Sequence, residues 1–310
     1  MEVLGLSSKC TGRRHIVLMF GMGMIGSSVR DSLSNFGFRL ISEIDFSWDI
    51  SGKRTNAYLL IEALCIRELP NLDCVSLVWS AGVGGFHSTE DEARLENHSF
   101  IDTIEFVKEL KNKLGRVQFN VHYLSSAGGL FEGQRVVDKR SIPTPQRPYG
   151  RLKLSQERML QKSVPFDSLT IYRPSSVYGP MRQKSQKGLI NNLIRNGRNG
   201  GVTVLDAHVM SLRDYVYSGD IGGFIARIIN SKITKLDGQS IYYLVSARCS
   251  SIYEVVLKIE RTLNLNLNVR YDESFGNNTN ITFSDSVLPP GWAPSSLNVG
   301  IKQFLVGGNS

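Results

Sequence analysis

Tyr149 and Lys153 stand four residues apart in Tyr149-Gly-Arg-Leu-Lys153, a spacing that puts two side chains on one face of a helix and within reach of one substrate atom. The chemistry they could perform is proton transfer. A phenol ionises near pH ~10 when unperturbed, and an ammonium one turn away favours the phenolate at lower pH. The pair alone says little: a chain with 11 tyrosines carries one by chance about half the time, and an amphipathic helix with two exposed polar residues looks the same. Its neighbours add the weight. A glycine-rich turn lies near the start of the chain, two serines close a strand just before the pair, and Arg173-Pro-Ser-Ser-Val-Tyr-Gly-Pro180 follows it.

Regular elements must position these groups. His15-Ile-Val-Leu-Met-Phe20 is an apolar run bounded by Gly21, and helical periodicity runs from Ile25 to Phe36, which predicts strand, tight turn, helix. The turn, Gly21-Met-Gly-Met-Ile-Gly26, has the G-x-G-x-x-G spacing whose glycines bring backbone close to a pyrophosphate at the positive end of a helix. Gly21, Gly23, Met24, Ile25 and Gly26 are therefore the candidate dinucleotide-binding residues. A second strand, about Phe38 to Ile44, ends in Asp45, 19 residues past the last glycine, where an acid meets the adenosine ribose hydroxyls and favours NAD over NADP. Glu43 is a rival for that role. Asp73 to Trp79 predicts a third strand and leads into Ser80-Ala-Gly-Val-Gly-Gly85; residues 86–97 read as a polar loop into a helix from Ser99 to Leu114. Val117 to Leu124 is the next buried strand, and it runs into Ser125-Ser126-Ala127-Gly128-Gly129. Pro148 opens the Tyr149 helix, a position where its missing N–H costs nothing. Leu152, Met159 and Leu160 give that helix an apolar face, and Phe166 to Arg173 is the strand that follows.

Together these stretches resemble the extended short-chain dehydrogenase/reductase superfamily, specifically its nucleotide-sugar epimerase and dehydratase branch, over nearly the whole chain. The resemblance implies that Tyr149 is the catalytic base and that Lys153 both assists it and holds the nicotinamide ribose. It places the small residues around Ala81 beside the cofactor. It also implies a serine or threonine at the end of the 117–124 strand that hydrogen-bonds the reacting sugar hydroxyl; Ser126 is the candidate, with Ser125 beside the cofactor and able to take the same part. In Ser211-Leu-Arg213-Asp214-Tyr215-Val-Tyr217-Ser-Gly-Asp220 the resemblance gives Arg213 the nucleotide diphosphate, a task suited to the two-pronged guanidinium. The chain departs from the pattern in three places. Phe20 stands where the branch has the first glycine of its turn, Ala127 and Gly129 stand where it has further hydroxyls, and Ser176 stands where it has a substrate-binding asparagine. The Asp-Glu pair of a 4,6-dehydratase and the cysteine of a 3,5-epimerase are both missing, with Ala127 and Gly128 in their place, and Glu132 falls further on. Gly291-Trp292-Ala-Pro294 resembles the closing segment of the branch.

The bulk composition suits this picture. At 310 residues and 41% hydrophobic the chain can bury a large core. No apolar run approaches the ~18 to 20 residues of a bilayer span, and residues 1–14 lack the apolar core of a secretory signal, so the cytoplasm is the expected compartment. The four cysteines show neither disulfide density nor metal-ligand spacing. A net charge of +8 suits anionic partners of several kinds. Arg182, Lys184, Lys187, Arg195 and Arg198 form a basic run that reads as a solvated face or as attraction to diphosphate or anionic lipid.

The expected fold is α/β, a Rossmann-type doubly wound parallel sheet with a smaller C-terminal α+β substrate domain. Residues 1–175 form the dinucleotide-binding domain and 176–310 the substrate domain, with segments near 202–225 and 241–246 returning to the first. The leading expectation for function is an NAD-dependent nucleotide-sugar 4-epimerase. A 4-ketoreductase of deoxysugar synthesis needs the same catalytic residues, and a non-catalytic dinucleotide sensor or scaffold is the third reading, disfavoured because both Tyr149 and Lys153 are kept. The implied partners are a nucleotide sugar and a second copy of the chain, paired through the two long helices of the nucleotide-binding half; no nucleic acid, integral membrane segment or metal is expected.

Overall fold

The computed structural model describes residues 2–10, 13–48, 51–82, 85, 88–162, 166–181, 188–205, 207–231, 238–272 and 280–307. Arg182, Lys184 and Lys187 of the basic run, and Val83 and Gly84 of the small-residue stretch, lie outside them. The first element is a strand that the sequence reading did not expect. β1 (Glu2–Cys10) pairs antiparallel with β2 (Arg13–Phe20); Val3 packs to one side of the sheet and Leu4 and Leu6 to the other, the period of two that a strand buried on both faces requires. β2 leads through the glycine turn into α1 (Met24–Asn35), then β3 (Arg39–Asp45) and α2 (Ser51–Glu68).

β4 (Leu72–Trp79) is followed by α3 (Glu90–Leu114). This helix starts nine residues before the predicted Ser99. Thr89 caps it, accepting the Glu92 N–H at 3.2 Å, while the Glu92 carboxylate accepts the Thr89 N–H at 3.1 Å; this reciprocal cap fixes the first turn whatever its polarity. β5 (Gln118–Leu124), the single turn α4 (Ala127–Leu130), β6 (Val136–Val137), α5 (Pro148–Lys162) and β7 (Ser168–Pro174) complete the half that carries Tyr149.

The remainder runs β8 (Ser176–Tyr178), α6 (Leu189–Arg198), β9 (Val202–Leu205), β10 (Leu212–Tyr217), α7 (Ser218–Asn230), β11 (Gly238–Leu244), β12 (Cys249–Ser251), α8 (Ile252–Leu263), β13 (Asn268–Tyr271), β14 (Thr282–Phe283) and α9 (Leu297–Gly307). Among the described residues the main sheet has seven strands in the order β11-β7-β5-β4-β2-β1-β3. All its pairings are parallel except those of β1, which is antiparallel to both β2 and β3. The architecture is the expected α/β sheet with smaller C-terminal sheets, and it holds one reversed strand.

One apolar cluster lies between the sheet and the α2–α3 side and is rich in aromatics, with Phe20 stacked on Trp79 at 5.3 Å and Phe100 edge-on to Trp79 at 5.1 Å. The opposite face packs on α1 and α7, whose backbones meet where Gly222 lies against Ser28; a Cβ at Gly222 would come within 2.5 Å of the Ser28 carbonyl. A third cluster gathers α6, α8 and α9 over β9 and β10. No helix among the described residues is long and apolar enough to cross a membrane.

Candidate active site

At the carboxyl edge of β2 the chain turns at Gly21 with φ +91°, a conformation that favours glycine. A Cβ there would stand 2.5 Å from the Ala81 Cα, and one on Gly26 would strike the Gly21 carbonyl, whereas one on Gly23 would meet nothing within 4 Å. Two glycines thus make the turn tight, and the third leaves open room at the first turn of α1. Ser80 Oγ donates to the carbonyl of Gly21 at 2.7 Å and lies 3.1 Å from that of Phe20, tying the turn to the end of β4. Phe20 is fully buried in the aromatic core, so its side chain leaves the turn clear although it stands where a glycine was expected. Met24 and Ile25 are half-buried on the first turn of α1, and Ala81 is buried beneath Gly21.

Asp45 is not beside this turn. β1 intervenes between β2 and β3, so Asp45 pairs with Glu2 and its carboxylate forms an ion pair with Lys53 at 3.3 Å. The adjacency that the 19-residue spacing implied assumes that successive parallel strands are neighbours, and the inserted strand breaks it.

The catalytic candidates meet on the other side of β4. Tyr149 is the second residue of α5, and its ring lies against the turn that follows Ser126: a Cβ on Gly129 would be 3.1 Å from Tyr149 Cδ1, and one on Gly150 would strike the Gly129 carbonyl. The small residues after Ser126 are therefore what lets α5 approach. Ser126 is the cap of α4, its Oγ accepting the Gly129 N–H at 3.1 Å. Ser125 is buried, its N–H donating to the Tyr172 carbonyl at 2.8 Å, and its hydroxyl has no hydrogen-bond partner among the described residues.

Lys153 is 4% exposed, with Nζ 5.8 Å from the centre of the Tyr149 ring and 5.5 Å from that of Tyr123. Its ammonium is paired with Glu96. Burial alone would lower the lysine pKa, but the Glu96 charge and hydrogen bond and the nearby phenols outweigh it, and the net shift is upward. Glu96 was missed because its stretch read as loop; the Thr89-Glu-Asp-Glu92 capping pattern was the signal that would have placed it on a helix. α5 is pinned further by Tyr123 Oη donating to Gln156 Oε1 at 2.6 Å, and by a two-pronged pair from Arg173 to Glu157 at 3.0 and 2.6 Å. Arg147, just ahead of the helix, pairs with the buried Glu132 at 2.6 Å.

The substrate-side candidates lie on a small three-stranded sheet. Ser176 is exposed and pairs with Tyr215; Arg213 is half-buried, and its Nη1 donates to the Leu212 carbonyl at 3.0 Å. Between them Asp214 is buried and accepts from the hydroxyl of Ser175, from Ser246 N at 2.9 Å and from Ser246 Oγ at 2.7 Å. Burial raises its pKa, while these hydrogen bonds hold it down in part. Asp214 joins the ends of β7 and β11 to β10, so it sets where Ser176 and Arg213 stand.

A glycine turn at the edge of a parallel sheet, with a tyrosine and a buried lysine on a helix two strands away, defines a dinucleotide-dependent enzyme fold. The family model described as NAD dependent epimerase/dehydratase matches residues 17–242, and the chain belongs to that enzyme family. No curated protein matches it. Among solved structures, UDP-glucose 4-epimerase from Brucella ovis in complex with NAD is 18% identical, covering 93% of this chain and 95% of that one with a TM-score of 0.74. The UDP-glucose 4-epimerase from Thermus thermophilus, also in complex with NAD, is 20% identical over 95% and 98%, TM-score 0.69. ADP-L-glycero-D-manno-heptose-6-epimerase from Helicobacter pylori is 16% identical over 96% and 97%, TM-score 0.73. Likeness at this level of identity establishes the fold.

Proposed function

We propose that the protein is an NAD-dependent nucleotide-sugar 4-epimerase. The observation that carries the reading is the meeting of Tyr149, the Ser126 turn and the buried Lys153 on the substrate side of a dinucleotide fold. The residues present fit the cofactor: the open space at Gly23, on the first turn of α1, is a cradle that any side chain would fill, and backbone N–H groups there favour a pyrophosphate. NAD, when bound, supplies a hydride acceptor that can return the hydride to the other face of the sugar.

The chain's own residues handle the proton. Tyr149 Oη takes it from the sugar C4 hydroxyl and gives it back when the ring has turned over, while Ser126, or Ser125 behind it, holds that hydroxyl in line. Lys153 keeps its ammonium beside the phenol, with Glu96 as counter-ion, and offers its remaining N–H donors to the nicotinamide ribose. Arg213 and Ser176 take the diphosphate and sugar. In this reading the working form is a cytoplasmic homodimer, and NAD is preferred to NADP.

The test is interconversion of C4 epimers by purified protein with NAD and no added reductant, together with mass spectrometry of the small molecules released on denaturation. Turnover that consumes NAD(P)H stoichiometrically with a 4-keto sugar nucleotide would replace the epimerase reading with a ketoreductase. Wild type and Tyr149→Phe behaving identically across a panel of sugar nucleotides would favour a non-catalytic sensor.

A further inference from the structure

The strand that separates Asp45 from the glycine turn brings its own carboxylate to that place. β1 runs antiparallel to its neighbours, so Glu2, near its start, lies at the carboxyl edge of the parallel strands, where α/β sheets bind their ligands. On one side it is opposite Asp45; on the other its carbonyl accepts the Gly21 N–H at 3.4 Å. Adjacent strands are ~4.8 Å apart, so the Asp45 strand stands roughly 10 Å from the turn strand and Glu2 half that distance.

The alternation of side chains gives the direction. Leu4 is opposite Met19, and both belong to the cluster packed on α1; Val3 is opposite Phe20 and Ile44 and belongs to the cluster on the other face. Glu2, two residues from Leu4, shares its face, the one on which α1 begins at the phosphate turn. Glu2 is exposed.

Charge makes the same point. Like charges directly opposite on paired strands are destabilising, and Glu2 and Asp45 are such a pair. Lys53 offsets Asp45 at 3.3 Å, and among the described residues no cation pairs with Glu2. A carboxylate in that position is poised to accept hydrogen bonds from a ligand's hydroxyl groups.

We propose that Glu2, carried into the sheet by β1, is the residue that recognises the adenosine ribose hydroxyls of the dinucleotide, in the place that strand order would otherwise give to Asp45. This rests on the cofactor reading above. The two ribose hydroxyls donate to the Glu2 carboxylate, and a phosphate on the 2′ oxygen would meet two neighbouring negative charges, so Glu2 sets the preference for NAD.

Titration calorimetry of the full chain with NAD and with NADP tests this without any sugar substrate. Glu2→Gln is expected to weaken NAD binding about tenfold or more, the loss of a charge-assisted hydrogen bond, and to narrow the gap between NAD and NADP; Asp45→Asn is expected to change NAD affinity less than about twofold on the same grounds. Glu2→Lys is expected to reverse the preference toward NADP. Both positions are exposed, so the variants should fold, which far-UV circular dichroism checks; Glu2→Asp, which keeps the charge, should retain most of the discrimination. Wild-type NAD affinity in Glu2→Gln, or a loss in Asp45→Asn as large as that in Glu2→Gln, would overturn the assignment while leaving the cofactor reading intact. A wild-type chain that binds neither dinucleotide would overturn both.

Discussion

Lys153 Nζ stands 3.1 Å from Glu96 Oε1 in the protein interior, the lysine side chain 5% exposed and the glutamate 0%. The positive charge offered to Tyr149 is therefore one end of a buried ion pair. Removing one partner of such a pair strands the other charge, which costs about 3–5 kcal/mol, whereas removing both together costs much less. Glu96→Gln and Lys153→Met should each lower the urea midpoint clearly, and the double variant should recover most of the loss. Additive losses in that cycle would show that the two groups are not coupled.

The lysine pKa is raised on folding, which fixes the sign of its linkage. Its contribution to stability is fully present below the unfolded value of ~10.4 and is lost as pH rises through the higher folded value. For turnover, Lys153→Met should cut kcat strongly at neutral pH under saturating NAD, with partial recovery as pH rises and the phenol ionises unaided. The double variant with Glu96→Gln makes the same measurement with no stranded carboxylate. An unchanged pH–rate profile would mean that Tyr149 is activated by something else; the other titratable groups acting on Lys153 are Glu96 on α3 and Tyr123 on β5, and Glu157 on α5 acts in turn on Tyr123.

Tyr149→Phe removes one oxygen from a half-buried ring. We expect kcat to fall roughly 10²–10⁴-fold, the span of general acid–base effects, with little change in NAD affinity or thermal midpoint. A variant that loses cofactor binding as well would place Tyr149 in cofactor retention.

Gly150→Ala should separate Tyr149 from the Ser126 turn. Its Cβ would strike the Gly129 carbonyl and lie 2.8 Å from Pro145 Cβ, so α5 must move; overpacking of this kind costs about 1–3 kcal/mol. A fall in kcat with NAD affinity retained is the expected kinetic sign. Wild-type kcat in Gly150→Ala would show that the close approach is not needed for chemistry.

His122 is buried between sheet and helices, its Nδ1 3.0 Å from Tyr172 Oη. Burial, with a lesser contribution from His15, pushes its pKa down to about 3. The unfolded chain takes up this proton near pH ~6.5, so the stability that neutral His122 contributes is complete above that pH and is lost as pH falls toward the folded value. Urea midpoints should decline between pH ~6.5 and ~5, and His122→Phe should flatten that decline.

The parts legible in the sequence were those set by local rules. Strand-turn-helix at Gly21–Gly26, the proline-opened helix of Tyr149 and Lys153, and the serine-ended strand before it all follow from short-range signals, and they lie where their pattern put them. What escaped depends on partners distant in sequence. Nothing between His15 and Asp45 says that residues 2–10 will slide between two strands that local order makes neighbours. Glu96 looks like one more charge in a polar run until α3 turns it inward onto a lysine 57 residues away. Asp214 sits in a motif read for its arginine, yet its bonds to Ser175 and Ser246 hold together three strand ends that no window spans.

The direction of β1 also bears on how the protein can be handled. Because its first residues lie beside Gly21 at the carboxyl edge, any affinity tag or fusion partner joined ahead of residue 2 would leave the sheet beside the glycine turn, where the dinucleotide is proposed to bind. Labels and immobilisation linkers are better joined at the end of α9, which packs against α8 and β10 and not beside the glycine turn. A probe grafted ahead of residue 2 is then expected to act as a local reporter of the proposed cofactor site, its signal changing as dinucleotide is added.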